Sequence, residues 1–428
     1  MKKEENRMLI RLIVVLGLIS FFSLELWAAP MFARKYNLSC TVCHSAFPKL
    51  NSFGKEFMAN NYRLPNWREN IIDTGDDQLA LPNSVPIAFR LQGFAQARDS
   101  EAVDVATGTT TTADTDFQAP YLIKMLSSAP LSENITYYFY AIYAEKGGNG
   151  EVLVEDAWFS YDDLFGSGIS MMLGQFQVSD LMFPRETRLT FQDYMVYRMA
   201  GITYERGALF SKKLGPIGVG VGIVNGNGIT ENVSINSPGY RRPDRLFDNN
   251  NAKALFARIG TDLGPVSTGL FYYNGSQKNA AGPAGTEAGT RNTDKQIAGI
   301  DLSGDFAGDI YWFGQILWNQ WDGFIDQNTK YRWFGGFVGL DYVPGKHWSY
   351  SLLYNYTNAH DLADSDTVYE GIDMNSLTLN ASYYFMRNVK GVIEINADFL
   401  GTKKQSGVYY TGHLSQENSF LLGFDAAF

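Results

Sequence analysis

The hydrophobic and polar positions of this chain follow two different periods. Between residues 30 and 64 the apolar positions recur at three and four. Phe47, Leu50, Phe53 and Phe57 fall on one face at that spacing, which predicts helix. Pro48 suits a first helical turn. From residue 85 the period becomes two. Ile87, Phe89, Leu91, Gly93, Ala95 and Ala97 form one face of the first such segment, and Arg90, Gln92, Gln96 and Arg98 dominate the other. Near the end, Ile393, Ile395, Ala397 and Phe399 alternate with Glu394, Asn396 and Asp398. The pattern predicts sixteen strands, at 87–98, 117–127, 134–146, 151–161, 168–178, 197–206, 216–225, 253–262, 265–274, 294–303, 309–321, 331–343, 347–357, 375–385, 389–400 and 418–428. Strand four fits least well, because Glu155 and Asp156 are adjacent and one of them must face the wrong way.

The connections alternate in length. The stretches APLSEN, DDLFGSG, GALFSKKLGP, DLGP, SGDFAGD, VPGKH and MRNV are short. The connections at 99–116, 179–196, 226–252, 275–293, 358–374 and 401–417 are long and polar. Short turns on one side, long loops on the other, dyad alternation and an even strand count are the marks of an outer-membrane barrel. The chain closes on Phe420, Leu422, Phe424, Ala426 and Phe428 at every second position, similar to the terminal signal of such barrels. The expected fold is therefore mainly β: a 16-stranded antiparallel transmembrane β-barrel over 85–428. A small N-terminal α-helical segment over 29–64 precedes it, and a polar connector over 65–84 joins the two.

The front of the chain adds an export signal. Lys2, Lys3, Arg7 and Arg11 precede an apolar stretch at 12–24, and Ala28 and Ala29 supply small residues for cleavage, so 1–28 reads as a signal peptide. Composition agrees with a barrel. Gly (42), Phe (29) and Tyr (25) are plentiful and only 19% of residues are charged, unlike a soluble α/β chain. The net charge of -10 argues against a nucleic-acid partner, which needs a basic footprint.

The chemistry lies in Cys40-Thr41-Val42-Cys43-His44. C-x-x-C-H is the attachment run for c-type haem: two thiols add across the vinyl groups and the His reaches the iron. A dithiol redox motif would want a thioredoxin-like βαβ setting. A structural zinc site would want four ligands, and these two Cys have no second pair. Cys40, Cys43 and His44 are thus the expected cofactor residues for one covalent haem c, which makes 29–64 a monohaem cytochrome c segment. The sixth iron position stays open. Met58 on the helical face is the first candidate, Met31 lies just before the motif, and an open position or a barrel residue would also serve. Of the other His, His347 falls in a short turn, and His360 and His413 fall in long loops. His360 beside Asp361 and Asp364, with Asp366 and Glu370 nearby, is the one suggestive iron-binding grouping.

This order of parts resembles the fused monohaem cytochrome–porins of the outer membrane, best known from bacteria that oxidise extracellular ferrous iron. The stretch ARKYNLSCTVCHSAFPKLNSFGKEF is similar to the N-terminus of a wider set of haem-bearing outer-membrane proteins. LGQFQVSDLMFP and IVNGNG look like elements of phosphate-selective-type porins. The resemblance implies outer-membrane electron transfer, with a ferrous-iron-oxidising cytochrome as the enzymatic reading. Outer-membrane lipid, periplasmic c-type cytochromes and ferrous iron or another extracellular redox partner would be its partners. The alternative is a diffusion porin for small solutes with haem as plug or sensor, in which Arg90 and Arg98 would favour anions. Tunnelling falls steeply with distance and the hydrocarbon layer is about 30 Å thick, so the haem segment is expected at least partly inside the barrel. Covalent attachment predicts that the denatured chain keeps haem in a gel stained for haem peroxidase activity. The double variant Cys40→Ala, Cys43→Ala should keep none.

Overall fold

The structure is a computed structural model. It describes residues 31–65, 67, 71–72, 74–76, 81–83, 85–99, 101–103, 110–112, 115–145, 148–229, 248–279, 289–306, 308–362, 372–400 and 418–428. The signal peptide, Asp364, Asp366, Glu370 and His413 lie outside the described residues.

Sixteen antiparallel strands close into one barrel. They are β1 (Ile87–Asp99), β2 (Thr115–Pro130), β3 (Ile135–Glu145), β4 (Gly148–Tyr161), β5 (Ser170–Gln177), β6 (Tyr204–Leu214), β7 (Ile217–Val224) and β8 (Ala254–Leu263). The second half runs β9 (Val266–Lys278), β10 (Asn292–Phe306), β11 (Ile310–Asp322), β12 (Lys330–Tyr342), β13 (Trp348–Asn358), β14 (Met374–Met386), β15 (Val389–Asp398) and β16 (Asn418–Ala427). Each strand pairs with its sequence neighbour. Closure is made by β16 on β1, from Asn418 opposite Asp99 to Ala427 opposite Arg90. Phe428 completes the seam by exchanging backbone hydrogen bonds with Phe89.

Burial along the strands is the reverse of a soluble protein's. Leu270, Ile300 and Ile316, adjacent across β9, β10 and β11, are all exposed. Asp301, Asn355, Asn380, Lys390, Glu394 and Asp425 are buried. The apolar face looks out to lipid and the polar face looks into the lumen, as a membrane barrel requires. Aromatic side chains edge the apolar band. Trp348, Tyr350, Tyr342 and Tyr383 contact one another at the short-turn end. Phe334 meets Tyr356 toward the other end. From Phe334 to Tyr342 is about 26 Å of strand, enough to carry the band between two interfaces.

Three expectations need correction. Strand six does not span 197–206. Residues 195–200 form a helix, α4 (Met195–Ala200), and the strand runs Tyr204–Leu214, through residues that read as a turn. The actual turn is only Gly215-Pro216, with Gly215 at φ 61, and the Leu-Gly-Pro sequence repeats it at Gly264, φ 64. Strand four accommodates its adjacent acids by a register shift between Val154 and Asp156, so Glu155 and Asp156 are both buried.

The third concerns 179–196, expected as an outer loop. The excursion 178–203 leaves and returns through paired backbone bonds, Val178 to Thr203 and Ser179 to Ile202, and folds inward. Phe183, Tyr194, Val196 and Tyr197 join Phe256, Phe271, Tyr273, Phe313 and Phe337 of the wall in the main apolar core. Polar contacts tie this strap across the lumen. Glu186 accepts from Lys124 (3.0 Å) and Tyr140 (2.8 Å) on one side. The Glu394 carboxylate accepts from the Phe191 and Gln192 amides (2.7 and 2.8 Å) on the other. Asn355 donates to Asp193 O, and Lys295 to Gly201 O.

An arginine at the centre of the lipid face, Ile300→Arg, should lower barrel stability by about 2–4 kcal/mol. Reversible unfolding in urea with lipid vesicles reads this directly.

Candidate haem site

Residues 31–65 make three short helices rather than a long one: α1 (Met31–Tyr36), α2 (Cys40–Cys43) and α3 (Ser52–Ala59). The expected face of Phe47, Leu50, Phe53 and Phe57 is therefore split. Phe47 and Pro48 form a turn, Lys49–Leu50 pairs with His44–Ala46 as a small ribbon, and only Phe53 and Phe57 ride on α3. Pro48 does not open a helix. Asn51 does, with its Oδ1 accepting the Gly54 amide at 2.9 Å. An aromatic core holds the segment. Phe57 sits edge-on to Phe32 and Tyr36, and Tyr62 stacks on Phe32. Met31 is buried and Met58 is half-buried.

The motif is built from both sides. Ser39 caps α2 through the Thr41 amide. Asn51 Nδ2 donates to Thr41 O and Val42 O (3.3 and 3.0 Å), and the Asn51 amide donates to Cys43 O (2.9 Å). One side chain therefore caps α3 and satisfies the last carbonyls of α2. Gly54 makes this approach feasible: a Cβ there would overlap the Cys43 carbonyl oxygen.

The donor set suits a covalent haem. Both thiols are free and half-buried, one helical turn apart. Burial pushes Cys40 and Cys43 above the usual thiol range. His44 Nδ1 lies 3.2 Å from Pro48 O. A carbonyl only accepts, so Nδ1 carries the proton and Nε2 keeps its lone pair for a metal. Burial is the dominant influence on His44 and lowers its pKa, against smaller opposing effects of the Pro48 and Lys49 backbone. A neutral imidazole is the form that ligates iron.

The segment packs against the lumen wall at the short-turn end. Lys49 Nζ lies 2.6 Å from Asp341 Oδ2 on β12 and over the Tyr311 ring of β11. Burial pushes Lys49 down and the Asp341 carboxylate pushes it back up. Lys55 also faces Tyr311. Phe47 O accepts from Tyr384 of β14 and Lys390 of β15, each at 2.9 Å, and the Arg90 guanidinium of β1 lies over the Phe47 ring. Across the lumen, Arg63 pairs with Asp162 and donates to Glu133 O, and Asn61 donates to Asp162. Tyr62 stacks with Tyr138 and Trp158 of β3 and β4 (5.0 and 6.3 Å) and so reaches the apolar core of the inward strap. Every wall residue named here lies within about three residues of its strand's short-turn end, roughly 10 Å of depth.

Among the expected site residues, Cys40, Cys43 and His44 are brought together, and Met58 lies on the neighbouring helix α3. His347 is exposed in a short turn, with Nδ1 at Tyr384 O. His360 is exposed, while the Asp361 carboxylate accepts the Arg332 amide. Among the described residues no three His, Cys, Asp or Glu side chains gather as a metal site. Arg90 does not face an open lumen as expected of an anion-attracting residue. It forms a two-pronged pair with Asp425 (3.0 and 2.8 Å) across the β1–β16 seam. Lys49, Asn51, Gly54 and Arg63 were not singled out by the sequence. Lys49 and Arg63 stand in the sequence as scattered cations, and Asn51 and Gly54 carry no local signal.

The barrel decides what the chain is similar to. The fold is that of an outer-membrane porin. The outer membrane channel DcaP of Acinetobacter baumannii superposes with TM-score 0.54 at 14% identity, over 80% of this chain and 97% of that one. An anion-selective porin from Comamonas acidovorans gives 0.53 at 14% identity, over 81% and 99%. OmpF of Salmonella typhi, solved as a complex with daunomycin, gives 0.54 at 12% identity, over 80% and 97%. No family model matches the chain, and no curated protein matches it in sequence. The likeness shows the porin-type barrel fold. It carries nothing about haem or electron transfer.

Gly54→Val should push α3 off the Cys43 carbonyl and destabilise the segment by about 1–3 kcal/mol. Amide hydrogen exchange over 40–60 should rise, with the barrel strands unchanged.

Proposed function

We propose that this porin-type barrel carries a covalent haem c in its short-turn mouth and exchanges electrons there with periplasmic c-type cytochromes. The observation that carries the reading is the joint geometry of two free thiols on α2 and a His44 whose Nδ1 is committed to Pro48 O. Cys40 and Cys43 would hold the haem through thioethers, and His44 Nε2 would ligate its iron. Met58 would be the first candidate for a second protein ligand. Haem c supplies reversible one-electron exchange. The chain's own residues do the rest: Asn51 and Gly54 set the attachment turn, Pro48 O orients the imidazole, and Lys49, Arg63 and Tyr62 fasten the segment to the wall.

Depth constrains the donor. With about 10 Å of wall engaged and a hydrocarbon layer of about 30 Å, the motif faces the periplasmic side of the membrane. A ferrous-iron donor from outside would have to approach through the lumen, past the 178–203 strap. Ferrous-iron oxidation is thus a reading of who supplies the electron, not of what His44 does.

The second reading is a diffusion porin for small solutes, anions among them, with the haem segment as plug or sensor, and the porin likeness supports it. Against it stand the pairing of Arg90 with Asp425 and the two insertions that share the lumen. Planar-bilayer conductance separates the two. The electron-transfer reading expects little current from the full chain, a haem that ferrous iron or a reduced periplasmic cytochrome converts to its ferrous spectrum, and a marked rise in current when 31–64 is deleted. Large, steady conductance with a haem inert to every donor would leave the porin reading standing alone.

A further inference from the structure

One backbone atom of the haem segment takes two hydrogen bonds from the barrel. Phe47 O accepts from Tyr384 Oη and from Lys390 Nζ, both at 2.9 Å. Lys390 is itself 2% exposed and lies 3.7 Å from the Asp425 carboxylate, which pairs across the closure seam with Arg90. Arg90 in turn covers the Phe47 ring at 5.3 Å. That ring sits edge-on to the His44 imidazole, with centroids 5.3 Å apart. The next residue, Pro48, supplies the carbonyl that orients His44 Nδ1. The wall thus grips the 47–48 turn from β1, β14, β15 and β16, and that turn sets the ring plane of His44.

We propose that Lys390 and Tyr384 are positioning residues for the iron ligand: they act on His44 through the Phe47 carbonyl, so the closed barrel tunes the haem. This rests on the proposed haem reading. A buried ammonium and its Asp425 partner at that distance fix the turn more firmly than solvent could. Because Asp425 and Arg90 belong to the last and first strands, the ion pair that backs Lys390 and holds Arg90 over Phe47 forms only once the seam is closed.

The test uses the full-length protein in detergent. Lys390→Met and Tyr384→Phe are compared with wild type for covalent haem content, haem midpoint potential, Soret spectrum, and amide exchange over 44–50. Heat-modifiable gel mobility verifies closure of each barrel. Haem content should hold. Both variants should shift the midpoint potential and raise exchange at 44–50 several-fold, and the double variant should fall short of the summed shifts, since both donors serve one carbonyl. Closed barrels with full haem and wild-type potential in both variants overturn the inference alone. Tyr384→Phe, which keeps the ring and leaves Lys390 and Asp425 paired, decides the matter if Lys390→Met fails to close. Absence of covalent haem from the wild type overturns the proposed function, and this inference with it.

Discussion

A strand in lipid has no water to satisfy its backbone, so every N–H and C=O must find a partner in the sheet, and the sheet must close. The β16–β1 seam meets that demand here, and much else follows from it. Closure forces the alternation of faces, because lipid lies outside and a lumen inside. It also brings Arg90 and Asp425, 335 positions apart in the chain, into one ion pair. An ion pair of this kind is stable only with its remaining hydrogen-bonding capacity filled. Lys390 is within reach of the same carboxylate, and the Phe47 turn lies on top of the group.

Sixteen strands enclose more space than their inward side chains fill. Two parts of this chain occupy it. The 178–203 strap enters from the long-loop side and crosses from Lys124 and Tyr140 to Glu394 and Asn355. The N-terminal segment enters at the short-turn side and carries Lys49 and Arg63 to wall acids. They meet around Tyr62, Tyr138 and Trp158, where apolar surface from the segment, the wall and the strap is buried together. Cys40, Cys43 and His44 are half-buried, and the turn that follows them is bonded to the wall through Phe47 O.

Much of this was legible in the chain. A period of two survives as sequence because lipid and lumen demand opposite residue types at successive positions, and the strands after β6 fall close to their expected bounds. The Cys40–His44 run on which the haem proposal rests is local and visible without a fold. The failures have physical causes. Residues 197–203 read as strand because an inward loop can be as apolar as a strand, its core being the lumen rather than the lipid, and that placed a turn over 207–214, which is strand. Glu155 and Asp156 looked incompatible because a bulge leaves no mark in alternation. The long helix over Phe47 to Phe57 failed because Asn51 and Pro48 break it, and a spacing of three and four also arises in compact turns.

The sequence by itself determined the lipid-facing surface and the strand count, and it marked out Cys40, Cys43 and His44 as the residues of the proposed site, since each depends on residue type at short range. Only the tertiary structure decided where His44 is held and by what. Phe47 O meets Tyr384 and Lys390 across more than three hundred residues, and Arg90 is spent on Asp425 rather than left facing the lumen. Such contacts exist because a closed sheet brings distant strands to one wall, and closure is a property of all sixteen strands together.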